Sequence, residues 1–290
     1  MTKLQAMKIL FTDLDGTLLM DDKSISAADL AAVQKMIAAH HKFVMTTGRP
    51  LAAVIPLAEK YGFMEEGSFL VSFNGGLIYD CGRRESILNR FISPADVKFI
   101  MDEAHRRGMH AHTYAGDLVV SEYETEQLKA YCRIMNMDYL IVDDICKFFE
   151  QGAAGGAPEK PINVVVKPPI KVNIITPFEH SSLESFRSDM RKHTEGKLFD
   201  VFSKPEMLEF SHLQSNKGDA LRFMANLFQV PIEDTLAVGD EENDLPMIEA
   251  AGVGVAMANA SEVVREKADY VTKLDNNHGG IAEVIAKFVL

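Results

Sequence analysis

Met7-Lys8-Ile9-Leu10-Phe11-Thr12-Asp13-Leu14-Asp15-Gly16-Thr17 decides how this chain is read: a short apolar run flows into two carboxylates one residue apart and then into a Gly-Thr turn. A short apolar run closed by a turn signal is the pattern of a parallel strand buried on both faces. Both acids then stand at the strand's carboxyl end, where open α/β sheets keep their ligand crevice. Two carboxylates about 4 Å apart repel by about 1 kcal/mol in water and about 4 kcal/mol at a protein-like dielectric, so the pair calls for a cation or a shared proton.

Downstream, Ser26-Ala27-Ala28-Asp29 reads as a capping box that opens a helix running to about His40. Lys42 to Thr46 is the next buried strand, ended by Thr47-Gly48-Arg49-Pro50, and Leu51 to Tyr61 is helical in pattern. Ser68 to Ser72 is a third apolar strand, closed by Asn74-Gly75-Gly76. Strand and helix in alternation predict right-handed crossovers on a doubly wound, Rossmann-like parallel sheet of the α/β class.

From about Ile87 the texture changes. Ser93-Pro94-Ala95-Asp96 is a helix start with Pro at the first helical position, and His110 to Thr113 with Leu118 to Val120 suggests a hairpin. Lys171 to Ile175, Leu198 to Phe202 and Met207 to Phe210 add strands, so an α+β module of antiparallel character is expected as an insertion. Gln151-Gly152-Ala153-Ala154-Gly155-Gly156-Ala157-Pro158 is too rich in Gly and Ala to pack and reads as a loop. The doubly wound pattern resumes with the helix opened by Asn216-Lys217-Gly218-Asp219 and the strand Thr235 to Val238, which ends in Gly239-Asp240-Glu241-Glu242-Asn243-Asp244. The expected division is a catalytic core over 1–86 and 207–290 and an inserted domain over 87–206. His110 and His112 alternate on one strand and read as a polar strand face rather than as metal ligands.

Composition narrows the function. A length of 290 residues favours two domains over one. The formal charge of −12 disfavours nucleic acid and anionic membrane as partners. No run approaches the roughly 20 apolar residues that span a bilayer, and the amino terminus lacks a cleavage pattern, so a soluble cytoplasmic protein is expected. Cys81, Cys132 and Cys146 are odd in number and far apart, which argues against a disulfide framework or structural zinc.

Four groups fall at predicted carboxyl ends of parallel strands or at a helix start beside them: Asp13 with Asp15, Thr46 with Thr47, Lys217, and Asp240 with Asn243 and Asp244. Oxygen donors of this kind suit a hard cation such as Mg²⁺ better than zinc. Lys217 and a Thr hydroxyl would hold the remaining oxygens of a phosphoryl group.

This pattern resembles the haloacid dehalogenase superfamily, and its order and insertion point are similar to the Cof-type (IIB) sugar-phosphatase branch. Asp13-Leu14-Asp15-Gly16-Thr17 matches the first motif, Thr47 before Gly48-Arg49 the second, Lys217 the third, and Gly239-Asp240-x-x-Asn243-Asp244 the fourth. The insertion after Asn74-Gly75-Gly76 resembles that branch's α/β cap. The resemblance implies a Mg²⁺-dependent phosphatase acting on a small phosphorylated metabolite, a sugar phosphate, with cap loops choosing it. Asp13 is the implied nucleophile and Asp15 the acid and base, with Thr47 and Lys217 completing the catalytic set. Leu14, Gly48, Asn74, Gly75 and Asn243 join Thr47 and Lys217 around the phosphate, with Asn243 orienting Lys217 or a phosphoryl oxygen. Asp13, Asp15, Asp240 and Asp244 form the implied metal set, Asp244 as an outer partner. A monomer or weak homodimer is expected. A phosphomutase of the same superfamily is the alternative enzyme, and a phosphoacceptor signalling module the alternative of another class. The insertion and an acid/base residue at Asp15 argue against the latter, because they serve turnover rather than a lasting phospho-aspartate.

Overall fold

The computed structural model describes residues 6–151 and 166–290. In chain order the elements begin β1 (Ile9–Asp13), α1 (Ala27–Ala38), β2 (Lys42–Thr46), α2 (Leu51–Lys60), β3 (Ser68–Ser72), β4 (Leu77–Asp80) and β5 (Glu85–Asn89). They continue with α3 (Pro94–Arg106), β6 (His110–Ala115), β7 (Leu118–Ser121), α4 (Glu126–Met135), β8 (Tyr139–Ile141), α5 (Ile145–Gln151), β9 (Lys171–Ile175), α6 (His180–Thr194), β10 (Leu198–Lys204) and β11 (Met207–His212). The chain ends through α7 (Lys217–Leu227), β12 (Thr235–Gly239), α8 (Leu245–Ala250), β13 (Val253–Ala256), α9 (Glu262–Lys267), β14 (Tyr270–Val271) and α10 (Gly280–Phe288). Contacts divide it into two compact units, Met1–Gly48 with Val54–Leu88 and Asn216–Leu290, and Arg49–Ala53 with Asn89–Ser215.

The first unit is built on an eight-stranded sheet in the order β14-β13-β12-β1-β2-β3-β4-β5. Neighbours from β14 to β3 run parallel, and β4 returns antiparallel beside β3. Ile9, Leu10 and Phe11 are fully buried, as a strand covered on both faces requires. Ile9 and Phe11 pack with Val44, Val71, Leu221, Met224 and Met247 in one core cluster. Ser26 caps α1 as its sequence suggests: its Oγ accepts from Asp29 N at 3.0 Å and donates to Asp29 Oδ2 at 2.8 Å. The buried Asp29 also accepts from Ala282 N at 2.7 Å, which ties α1 to α10. From β1 the winding steps to β2 and β3 on one side, and β12, β13 and β14 step away on the other. The sheet order therefore switches beside β1, which places the crevice of a doubly wound sheet at the ends of β1 and β12.

The second unit carries a six-stranded sheet in the order β10-β11-β9-β6-β7-β8. One face packs Ala111, Val172, Ile174, Leu208 and Phe210 with Val97, Ile100 and Phe186 from the helices. Its polar residues alternate with these. His110 Nε2 lies 2.9 Å from His112 Nδ1, His110 Nδ1 lies 2.9 Å from Thr125 Oγ1, and Lys171 Nζ donates to Glu209 Oε1 at 2.9 Å. The histidines thus bond to one another and to hydroxyls.

Two sequence expectations are corrected. β7 and β8 pair in parallel, so the second sheet is mixed rather than wholly antiparallel. The expected return to the core at residue 207 falls inside the β10–β11 hairpin, whose ladder holds Met207–His212 in the second sheet, and the first unit resumes at Asn216. Strand β1 runs through Asp13, which puts the acidic motif at its carboxyl end as the sequence predicts, and its ladder with β2 continues to the pair Asp13–Thr46. The expected Gly/Ala-rich loop lies, apart from Gln151, outside the described residues. Among the described residues no helix is long and apolar enough to cross a membrane, and Cys81, Cys132 and Cys146 are free thiols.

Candidate active site

Parallel register brings the motifs to one edge of the first unit's sheet. Asp13 ends β1 opposite Thr46 of β2, and Thr12 pairs with Val238, one residue before Gly239 and two before Asp240. Lys217 is the first residue of α7, where the Asn216 side chain caps the helix by accepting from Asp219 N at 2.8 Å. The long lysine stem is wholly buried, and its ammonium reaches Asp13 Oδ1 at 2.6 Å and Asp244 Oδ1 at 2.5 Å.

Asp244 is fixed from its other oxygen as well. Oδ2 accepts from the backbone N–H of Asp240 at 2.9 Å and of Glu241 at 3.1 Å, which closes the loop after β12 into a cradle. Asp240 in turn accepts the Thr17 hydroxyl on Oδ1 at 2.7 Å. Two glycines make this approach possible. A Cβ on Gly16, which also sits at φ +82°, would lie 2.2 Å from Asp240 Oδ2, and one on Gly239 would lie 2.4 Å from Asp244 Cβ.

Carboxylate oxygens of Asp13, Asp240 and Asp244 all lie within 4.8 Å of one another, and all three residues are buried. One ammonium cannot neutralise three such charges. Burial, with Asp244 and Asp240 adding repulsion that outlasts the pull of Lys217, raises the Asp13 carboxyl well above its usual range. Burial and Asp244 push Asp240 up to about 7. For Lys217 burial acts to lower the pKa, but Asp13 and Asp244 overcome it and drive the ammonium's pKa up. An all-oxygen donor set with surplus negative charge in a buried place fits a hard divalent cation such as Mg²⁺.

The other expected residues divide. Thr47 and Asn74 come together through the backbone, Asn74 N donating to Thr47 O at 2.9 Å, and Gly48 leaves room for the Asn74 amide, 3.1 Å from where its Cβ would stand. Phe73, Asn74 and Gly75 all have positive φ, and a Cβ on Gly75 would lie 2.5 Å from Asn216 O. Leu14, directly after Asp13, is buried. Asn243 Nδ2 donates to Asn74 Oδ1 at 3.2 Å, so it braces the Asn74 turn while Lys217 is oriented by Asp13 and Asp244. Asp15 is not in the carboxylate cluster: its side chain is 41% exposed and its Oδ1 pairs with Lys23 Nζ at 2.8 Å. Asp13, Asp240 and Asp244, and not the Asp15 side chain, form the cluster. Thr17 on Asp240, Lys23 on Asp15, and Asn259, whose Nδ2 donates to Gly16 O at 2.8 Å, are site contacts that were not anticipated. Thr17 carried a signal as part of the quoted motif, and Asn259 as part of Met257-Ala258-Asn259-Ala260, which is similar to a signature of the same family.

A doubly wound sheet with this set at its switch point defines a class, and comparison with known proteins agrees. The profile of the haloacid dehalogenase-like hydrolases matches residues 10–285. The chain belongs to that family, as one of its phosphatases. A Streptococcus pyogenes serotype M6 protein, named provisionally as the phosphatase M6_Spy0533, is 30% identical over 98% of this chain and 99% of its own. The 5-amino-6-(5-phospho-D-ribitylamino)uracil phosphatase YwtE of Bacillus subtilis is 27% identical over 96% of this chain and 97% of its own. Among solved structures, a haloacid dehalogenase-like hydrolase from Bacteroides thetaiotaomicron has a TM-score of 0.80 at 27% identity, covering 97% of this chain and 99% of that one.

Proposed function

We propose that this enzyme hydrolyses phosphate monoesters of small metabolites, sugar phosphates being the substrate class, through a phosphoryl group carried on Asp13. The observation that carries the reading is the buried Asp13 carboxylate held by Lys217 at 2.6 Å beside Asp240 and Asp244. With Oδ1 on Lys217, Asp13 Oδ2 attacks phosphorus in line, the bond to the leaving oxygen breaks, and Asp15 gives that oxygen its proton. Water then attacks the aspartyl-phosphate, Asp15 takes a proton from it, and inorganic phosphate leaves with Asp13 restored. Lys217 and Thr47, with the backbone N–H groups of Leu14 and Gly48, hold phosphoryl oxygens, because phosphoryl transfer depends mainly on positioning and charge. Asn74, Gly75 and Asn243 shape the turn beside them. A Mg²⁺ held by Asp13 and Asp240, with Asp244 behind them, would neutralise charge on the phosphoryl group when bound. The second unit is assigned as the cap that selects the substrate.

The names of two relatives support a small phosphate monoester as substrate. YwtE is named for a phosphoribityl compound, and the Escherichia coli relative YbhA, 24% identical over 96% of this chain, for pyridoxal phosphate. Both compounds are phosphate esters of primary alcohols. The test is release of inorganic phosphate from a panel of phosphorylated metabolites. A sugar phosphate should rank among the best substrates, and transfer of phosphate to a second position without its release would make the enzyme a mutase instead.

A further inference from the structure

Two consecutive residues flank the Asp240 carboxylate, one at each oxygen. The Thr17 hydroxyl donates to Oδ1 at 2.7 Å, and a Cβ on Gly16 would lie 2.2 Å from Oδ2, so bare Gly16 backbone passes against the second oxygen. Thr17 is wholly buried, its backbone N–H donates to Leu14 O at 3.4 Å, and a β-branched side chain is stiff at χ1, so the hydroxyl is held on Oδ1. The other carboxylate oxygens of the cluster are unevenly engaged. Asp13 Oδ1 and Asp244 Oδ1 lie on Lys217, and Asp244 Oδ2 takes the backbone N–H groups of Asp240 and Glu241. Among the described residues, Asp13 Oδ2 and Asp240 Oδ2 are therefore the cluster's two carboxylate oxygens that accept no hydrogen bond. With Asp13 Oδ2 assigned to phosphorus, Asp240 Oδ2 is the one left wholly to a cation.

We propose that Thr17 is a positioning residue that makes Asp240 a one-oxygen ligand and thereby biases the site towards a small cation. The inference rests on the reading of this cluster as the metal site. A carboxylate that accepts a buried hydroxyl on one oxygen cannot turn to chelate through both without breaking a strong hydrogen bond. Mg²⁺ is served by single oxygens from one or two carboxylates and keeps several waters, whereas Ca²⁺ takes about six to eight oxygens and readily binds a carboxylate through both of its own. The hydroxyl withholds from Ca²⁺ a ligand that Mg²⁺ does not need. Thr17 acts on the choice of cation through Asp240, without touching the cation itself.

The experiment reads binding rather than turnover. Calorimetric titration of the metal-stripped protein with Mg²⁺ alone and with Ca²⁺ alone gives the ratio of the two dissociation constants, and thermal unfolding in EDTA checks that each variant is folded. Thr17→Val keeps the shape of the side chain and removes the hydroxyl, and it should shift the ratio about tenfold towards Ca²⁺, the scale on which the hydrogen-bond partner of a ligand acts. Thr17→Ser keeps the hydroxyl and should stay within about twofold of the native ratio, and Thr17→Ala carries the same test should the Val variant not fold. An unchanged ratio in Thr17→Val, an equal weakening of both cations, or as large a shift in Thr17→Ser overturns the proposal. If neither cation gives heat or raises Tm in the native protein, the metal reading of the cluster fails, and the proposal with it. If the native protein binds Mg²⁺ and Thr17→Val keeps the native ratio, the proposal alone fails.

Discussion

Replacing Asp240 by Asn should make the metal-free protein more stable while removing its activity. Carboxylate oxygens as far apart as 4.8 Å, the span of the cluster, repel by about 3 kcal/mol at an effective dielectric of about 20. The rise of the Asp240 carboxyl from 3.8 to about 7 corresponds to about 4 kcal/mol at 1.36 kcal/mol per unit, so geometry and protonation agree in scale. A neutral amide still accepts from Thr17 but more weakly, which returns about 1 kcal/mol, and a net gain of about 2–3 kcal/mol is expected. At about 2–4 °C per kcal/mol, Tm should rise by about 5–10 °C. The sign follows from the raised pKa. Such a group's contribution to stability is complete below the unfolded pKa of 3.8 and is lost as pH rises through about 7. The gap between Asp240→Asn and the native protein, measured by thermal unfolding in EDTA, should therefore be wide at pH 8 and narrow at pH 5. Added Mg²⁺ should raise the native Tm and leave the variant's little changed. An Asn variant no more stable than the native protein in EDTA at pH 8 would show that the cluster carries no electrostatic strain.

Three further outcomes are expected. Asp13→Asn should abolish turnover with circular dichroism unchanged, and mass spectrometry of quenched native enzyme should find the phosphoryl group on Asp13; an active, folded Asn variant would remove the covalent step. EDTA should silence the enzyme and Mg²⁺ restore it, whereas Ca²⁺ should not, because its larger and looser coordination lets Asp13 bind through both oxygens; equal rates with both cations would contradict the assignment. His110, lowered by burial from 6.5 to about 4, gives stability that is complete above pH 6.5 and is lost as pH falls towards 4, a change of about 3 kcal/mol. The drop in urea midpoint between pH 7 and pH 4.5 should be smaller in His110→Asn than in the native protein, and equal drops would refute this.

The parallel half of the fold was open to sequence reading because its signals are local. Lys42 to Thr46 and Ser68 to Ser72 are apolar runs that strands buried on both faces demand, and their predicted bounds are those of β2 and β3. The second unit was legible only in part. Its α4, with Thr125 as N-cap, and the short β8 lie in a polar stretch, and β8 pairs in parallel with β7 through a crossover that no local residue announces. The boundary near residue 207 shows the same limit. Met207 to Phe210 is an apolar strand in either unit, and only its ladder with Leu198 to Lys204 decides between them.

The site divides along a related line. Asp13, Lys217, Asp240 and Asp244 could be named because each follows a strand or opens a helix, and the parallel register then carries them to one edge. Which of them touch could not be read, since contact depends on absent atoms as much as on present ones. Lys217 reaches two carboxylates because Gly218 lets α7 lie against the chain at Pro246, where a Cβ would stand 2.2 Å from the carbonyl oxygen. Gly16 and Gly239 do the same for Asp240 and Asp244. Asp15 stands two residues from Asp13 in a motif that reads as a paired cluster, yet β1 ends at Asp13 and the two side chains part, leaving one buried among acids and the other on a lysine at the surface. That separation gives the two carboxylates different environments, which the two different roles proposed for them require.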